Sequence, residues 1–290
     1  DPETEKEYVL LGLDDGTAFI DISDPENPIF LGKLPTASTT SPWRDVKVFK
    51  NHAFIVSEAQ NHGLQVFDLT KLRSVKNFEI FDASAILEDF GNAHNIWINE
   101  ASSFAYVLGS NLYAGGPVFI DISDPKNPKI LGGYSRERYT HDAHVVNYKG
   151  PDPEFQGKEI FFGSNSDGGE NNRIVILDVT DKLNPSKIST IDYSGPGYTH
   201  QGFLTEDHRY FFLGDELDEL QFGLKTQTRI FDFSSLKEPK LHFKYFSNFP
   251  AIDHNGYIVG EYFFLANYSA GLRVIDISEV QNKTIFEKGF

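Results

Sequence analysis

The chain has 290 residues, 40% hydrophobic and 14% aromatic, enough for a large core in one repeat-built domain or two ordinary ones. Acids outnumber bases 42 to 26, a formal charge of −16 that repels a phosphate backbone and argues against nucleic acid as a partner, while divalent cations and neutral or cationic ligands stay compatible with it. Cysteine is absent, which excludes disulfides, thiolate metal sites and cysteine nucleophiles, and no apolar run reaches the roughly 18 residues of a membrane span.

The chain opens Asp1-Pro2-Glu3, contains no methionine and shows no basic-then-apolar leader, so it reads as a mature or excised piece. Its first recurring element is FIDIS at Phe19 to Ser23, followed by VFDLT from Val66, FIDIS from Phe119, ILDVT from Ile176, IFDFS from Ile230 and VIDIS from Val274. The central residues Asp21, Asp68, Asp121, Asp178, Asp232 and Asp276 are 47, 53, 57, 54 and 44 positions apart, the scale of a propeller blade. Each copy has apolar residues on both sides of the aspartate, then Ser or Thr. Most continue into a turn such as SDPENP (Ser23 to Pro28) or SDPKNP (Ser123 to Pro128), where Pro fixes φ and Asp or Asn caps the bend. Short apolar strands flank these elements, HAFIVSE (His52 to Glu58) and FAYVLGS (Phe104 to Ser110) upstream, IFLGKL and KILGGY downstream. No segment sustains a 3.6-residue apolar period, so the chain is all-β.

A fourth strand per repeat starts at an aligned anchor: RDVKV at Arg44, HNIWI at His94, HDAHV at His141, HQGFL at His200 and HNGYI at His254. These anchors are 50, 47, 59 and 54 residues apart, in step with the aspartate strands. Four strands per radial unit describe a β-propeller with repeats at about 1–40, 41–90, 91–138, 139–197, 198–250 and 251–290, in one domain. An anchor for Asp21 would fall before Asp1, so the first of the six blades is expected to lack its inner strand, and the full-length propeller to have six or seven blades.

The first strand of a blade lines the channel, so residues at one position of every first strand form a ring. His94, His141, His200 and His254 are therefore candidate metal ligands for a divalent transition ion, since imidazole nitrogen suits Zn, Cu, Ni, Fe or Mn. Arg44 completes the ring as a cation for an anionic ligand or a ring carboxylate, which places a metal towards His141, His200 and His254. The next ring positions, Asp45, Asn95, Asp142, Gln201 and Asn255, are candidate ligand-binding residues, with Asp45 and Asp142 able to orient imidazoles. The structural alternative is that ring side chains hydrogen-bond neighbouring blades. His144, three residues beyond His141, would face the other way in a regular strand, and His52, His62, His208 and His242 read as satisfied structural residues. The acidic run at Asp215, Glu216, Asp218 and Glu219 could hold Ca²⁺ but reads first as a solvated loop, with Arg209 and Arg229 as flanking partners. No G-x-S-x-G elbow, H-E-x-x-H helix or P-loop occurs.

Along essentially its whole length the chain resembles the LVIVD-repeat, choice-of-anchor-B family. The stretches that carry the resemblance are DGTAFIDISDPENP, WRDVKVFKNHAFIVSEA, GNAHNI, YTHDA, GYTHQGFLTEDHRYFFLGDELDE and AIDHN. The resemblance implies a secreted or cell-surface bacterial β-propeller with an anchoring tail that differs between lineages, and fixes fold and location better than function. The leading expectation is an exported binding module presenting its channel mouth to an unknown surface ligand or protein, with a divalent metal at the histidine ring. The alternatives are a metal-dependent lyase or hydrolase using the same ring, perhaps on acidic carbohydrate, and a structural scaffold for partners.

Overall fold

The repeated D-x-[ST] pairs end their strands for a local reason. In each copy the aspartate Oδ1 accepts the backbone N–H two positions on: Asp21 from Ser23 at 3.0 Å, Asp68 from Thr70 at 3.1 Å and Asp121 from Ser123 at 2.9 Å. Asp178 does so from Thr180 at 3.1 Å, Asp232 from Ser234 at 2.8 Å and Asp276 from Ser278 at 3.0 Å. The carboxylate imitates a backbone acceptor and turns the chain out of the ladder. The second oxygen of Asp21, Asp68, Asp178, Asp232 and Asp276 meets Lys6, Lys126, Lys158, Arg209 and Lys288 at 2.9, 2.9, 3.0, 3.1 and 3.0 Å.

The structure is a computed structural model that describes residues 1–169 and 171–288. Two compact units form, Asp1–Arg138 and Tyr139–Phe290. Unit 1 contains β1 (Tyr8–Leu13), β2 (Gly16–Asp21), β3 (Ile29–Pro35), β4 (Arg44–Phe49), β5 (His52–Ser57), β6 (Leu64–Asp68), β7 (Glu79–Ile80), β8 (Ala85–Leu87), β9 (Asn95–Asn99), β10 (Phe104–Leu108), β11 (Val118–Asp121) and β12 (Lys129–Gly133). They form three four-stranded sheets in the orders β1-β2-β3-β7, β4-β5-β6-β8 and β9-β10-β11-β12. Unit 2 contains β13 (Thr140–Asn147), β14 (Glu159–Asn165), β15 (Arg173–Asp178), β16 (Ser186–Ile191), β17 (Thr199–Leu204), β18 (Tyr210–Asp215), β19 (Gln227–Asp232), β20 (Lys240–Phe246), β21 (Gly256–Val259), β22 (Tyr262–Ala266), β23 (Leu272–Asp276) and β24 (Phe286–Glu287). These make three more four-stranded sheets, each in simple sequential order.

The six sheets are the six blades expected. In blades two to six the repeat aspartate ends the third strand, whereas Asp21 ends the second strand of the first sheet. That sheet therefore starts at the second strand position, and among the described residues no strand pairs with the other edge of β1, as the spacing predicts. Its fourth member is β7, which runs parallel to β3 through Gly32↔Glu79 and Lys33↔Ile80.

Strands buried on both faces are apolar at their centres, because within each unit neighbouring blades pack against one another. In unit 1, Phe54 and Val66 of the second blade share a core with Ile96, Val107, Val118 and Ile120 of the third. In unit 2, Phe162 stacks on Phe233 at 5.3 Å and Phe211 on Phe233 at 5.2 Å, joining the fourth and fifth blades. Within each unit, a polar residue that follows an anchor also fastens one first strand to the next. Asp45 Oδ2 accepts the Ile96 N–H at 3.1 Å, and Gln201 Oε1 accepts the Gly256 N–H at 2.7 Å. In both pairs the residue after one anchor bonds the backbone two positions past the next. No helix among the described residues is long and apolar enough to cross a membrane.

Candidate metal centre

The two Tyr-Thr-His stretches share a backbone device. Thr140 pairs with Asn165 and Asp142 with Ser164, and likewise Thr199 pairs with Asp215 and Gln201 with Gly214. His141 and His200 are each the extra residue of a β-bulge at the start of a first strand, a device that re-aims a side chain. The bulge also breaks the regular alternation that would send His141 and His144 to opposite sides. Both pack on β17: His141 Nδ1 donates to the His200 carbonyl at 3.0 Å, and His144 Nδ1 accepts the Leu204 N–H at 3.0 Å.

The imidazoles of unit 2 form a row. His141 and His200 have ring centres 4.2 Å apart, and so do His200 and His254. Glu216 lies across the second pair, its Oε2 3.6 Å from His200 Nε2 and its Oε1 3.8 Å from His254 Nε2. Tyr268 donates its hydroxyl to Glu216 Oε1 at 2.6 Å, and that bond, with burial behind it, raises the phenol to about 12. Among the described residues, the His/Asp/Glu group compact enough to share one ion is His200, Glu216 and His254, whose ligand atoms lie within 4.8 Å of one another. His200 is buried, while His254 and Glu216 are partly accessible. An open groove of about 470 Å³ begins at His254 and runs along Ala266, Asn267, Tyr268, Gly271 and Leu272.

The other ring residues have different surroundings. In unit 1, His94 Nδ1 lies 2.6 Å from Glu58 Oε1. The Arg44 guanidinium bonds Leu13 O at 2.9 Å, Thr36 Oγ1 at 2.9 Å and His62 Nε2 at 2.8 Å. Burial and the Arg44 charge lower His62, so a neutral ring accepts that bond. Asn95 opens β9 half-buried, Asp142 is buried in β13, and Asn255 Oδ1 is a buried acceptor that meets no donor.

The acidic run departs from the solvated loop that its composition suggests: Asp215, Asp218 and Glu219 are buried. Asp215 is held by the N–H groups of Gly197 at 3.0 Å and Tyr198 at 2.6 Å and by the Tyr193 hydroxyl at 2.8 Å, which fixes the approach to the His200 bulge. Asp218 Oδ2 bonds Gln227 Nε2 at 2.7 Å and Arg229 Nη1 at 2.8 Å. Arg229 is thus a partner of the run, while Arg209 pairs with Asp232 instead. Burial first, and the Asp218 charge next, raise Glu219 to about 8, and burial pushes Asp253 well above the usual carboxylate range. Only Glu216 leaves this interior group to face the imidazoles.

Glu216 has a counterpart that the repeat makes visible. Glu58 and Glu216 each follow the second strand of their blade, and each sits against the anchor histidine of the next, His94 and His254. Their N–H groups bond Trp43 O at 3.3 Å and Tyr198 O at 3.0 Å, just ahead of their own blade's anchor.

The LVIVD repeat matches residues 90–135 and 257–284, the third blade and most of the sixth. The chain carries LVIVD repeats on a β-propeller. No curated protein matches the LVIVD-repeat chain. Among solved structures, a Bacteroides fragilis protein described as a candidate 6-phosphogluconolactonase is similar at TM-score 0.67 and 12% identity, over 97% of this chain and 79% of that one. A β-propeller domain from Myceliophteria thermophila gives TM-score 0.59 at 13% identity, over 93% and 78%. Hydrazine synthase from Kuenenia stuttgartiensis gives 0.63 at 12%, over 95% and 75%. At such identities these likenesses show the fold alone.

Proposed function

We propose that this LVIVD-repeat propeller is an exported, cell-surface binding module that holds one divalent transition-metal ion between His200, His254 and Glu216. The observation that carries the metal reading is the convergence of two imidazole nitrogens and a carboxylate within 4.8 Å. Two nitrogens and one oxygen suit Zn²⁺ or another first-row ion, and three protein donors leave a position open for an external ligand. The groove beginning at His254 gives that ligand access. Cell-surface display is supported by the resemblance of the motif stretches and is compatible with the absence of cysteine.

A second reading uses the same open position for catalysis, with the ion polarising a substrate oxygen or acidifying water. Its supporting observation is the donor set itself, since structural zinc sites are closed by four protein ligands.

Elemental analysis of protein purified without chelator tests the metal reading. One transition-metal ion per chain is expected, and His254→Ala or Glu216→Ala should weaken Zn²⁺ binding at least 100-fold by calorimetry. Failure of the unaltered protein to bind Zn²⁺, Co²⁺ or Mn²⁺ at micromolar concentration would remove it.

A further inference from the structure

One short loop touches the His200–Glu216–His254 group through Tyr268, and it is held in an unusual conformation. Tyr268 has φ +35°, in the left-handed region that bulky side chains avoid and that gathers at ligand clamps. The loop is closed by Asn267 N–H on Gly271 O at 2.9 Å and Gly271 N–H on Tyr268 O at 3.0 Å. Gly271 itself has φ +72°, which a residue without Cβ adopts freely. The buried Asn267 side chain fastens the base of the loop, its Nδ2 donating to Ile252 O at 2.8 Å and Ala251 O at 3.2 Å. That is the segment that leads into His254, so the loop and the ligand histidine are positioned together.

From this mounting the half-exposed Tyr268 ring stands edge-on to His254, centroids 5.3 Å apart and planes at 89°, and its hydroxyl reaches Glu216 Oε1 at 2.6 Å. The two carboxylate oxygens are thereby distinguished. Oε1 already receives a phenol hydrogen, and Oε2, 3.6 Å from His200 Nε2, is left with its lone pairs for an ion. A carboxylate that binds through both oxygens occupies two coordination positions, and a donor fixed on one of them disfavours that mode.

We propose that Tyr268 is a positioning residue of the metal centre: it pins Glu216 Oε1, commits the carboxylate to ligation through Oε2, and so keeps a coordination position open towards the groove. This rests on His200, His254 and Glu216 being metal ligands. The ligand that fits the open position is an oxygen donor whose apolar part lies along Tyr268 and Leu272, since the groove wall is mostly apolar.

The test is Tyr268→Phe in the full chain, titrated with Zn²⁺ and with Co²⁺ as a spectroscopic probe. Zn²⁺ affinity should fall by about 10–100-fold, the usual effect of losing a partner that orients a ligand. The visible bands of bound Co²⁺ should weaken and shift as Glu216 takes up a second coordination position, with the melting temperature of metal-free protein unchanged. Equal affinity and an identical Co²⁺ spectrum in variant and unaltered protein would overturn the assignment. So would a lowered metal-free melting temperature with an unchanged spectrum, which would assign the phenol to the fold. If the unaltered protein binds neither ion, it is the underlying metal reading that fails.

Discussion

His144 shows what burial does to an imidazole in this chain. It is buried, stacked on Phe203 at 4.1 Å, and its Nδ1 accepts the Leu204 N–H. Burial, with a smaller contribution from His208, lowers it to about 3. Because the folded value lies below the unfolded 6.5, the contribution to stability is complete above about pH 6.5 and is lost as pH falls towards 3. The full span is on the order of 5 kcal/mol. His144→Gln keeps an acceptor for Leu204 and removes the titration. Chemical denaturation from pH 4 to 6 should show the slope of stability against pH falling by about 1.4 kcal/mol per unit. An unchanged slope would place the titration elsewhere.

At the scale of the element, the Asx turn is the unit that repeats, and its cost of removal can be read at Asp178. Its carboxylate holds Thr180 N–H at 3.1 Å and Lys158 Nζ at 3.0 Å, and it is lowered because those bonds outweigh the burial that opposes them. Asp178→Ala should cost about 1–2 kcal/mol in denaturant titrations, from one lost turn bond and one partly exposed ion pair. Asp178→Asn, which keeps the turn acceptor, should recover most of it. The blades were legible in the sequence because this turn chemistry is local and recurs with apolar residues on both sides. The anchor alignment likewise picked out His141, His200 and His254, whose rings stand in a row in unit 2. What was not legible depends on register and on distant partners. A bulge adds one residue, so Tyr-Thr-His reads as ordinary strand until Thr199↔Asp215 and Gln201↔Gly214 reveal the slip. The burial of Asp218 depends on Arg229 and Gln227, which lie on β19. A run of four acids with partners at that remove resembles a solvated loop, although the parallel placement of Glu58 and Glu216 was a signal available to alignment of the blades.

Over the whole molecule, two populations of carboxyl groups with opposite linkage set the pH range of stability. The six repeat aspartates all lie below their ordinary values, Asp21 and Asp276 at about 2, through bonds from Ser or Thr and from nearby bases. Their contribution is present above the unfolded value of about 3.9 and lost as pH falls through 2. Glu219 has the reverse sign. Burial and the adjacent Asp218 raise it to about 8, so its contribution is complete below 4.5 and is lost as pH rises through 8. His144 gains over about pH 3 to 6.5 and offsets the early part of that decline. Stability should therefore be greatest between about pH 4.5 and 6.5, with an acid limb from the turns and an alkaline limb from the interior acids. Glu219→Gln resembles the protonated side chain and keeps an oxygen for the Gln227 N–H that Oε1 accepts at 3.2 Å. Thermal melts should show this variant falling less than the unaltered protein between pH 6.5 and 9 while matching it on the acid limb. If the alkaline decline persists undiminished in Glu219→Gln, the interior group holds its charge without strain and the division into two populations is wrong.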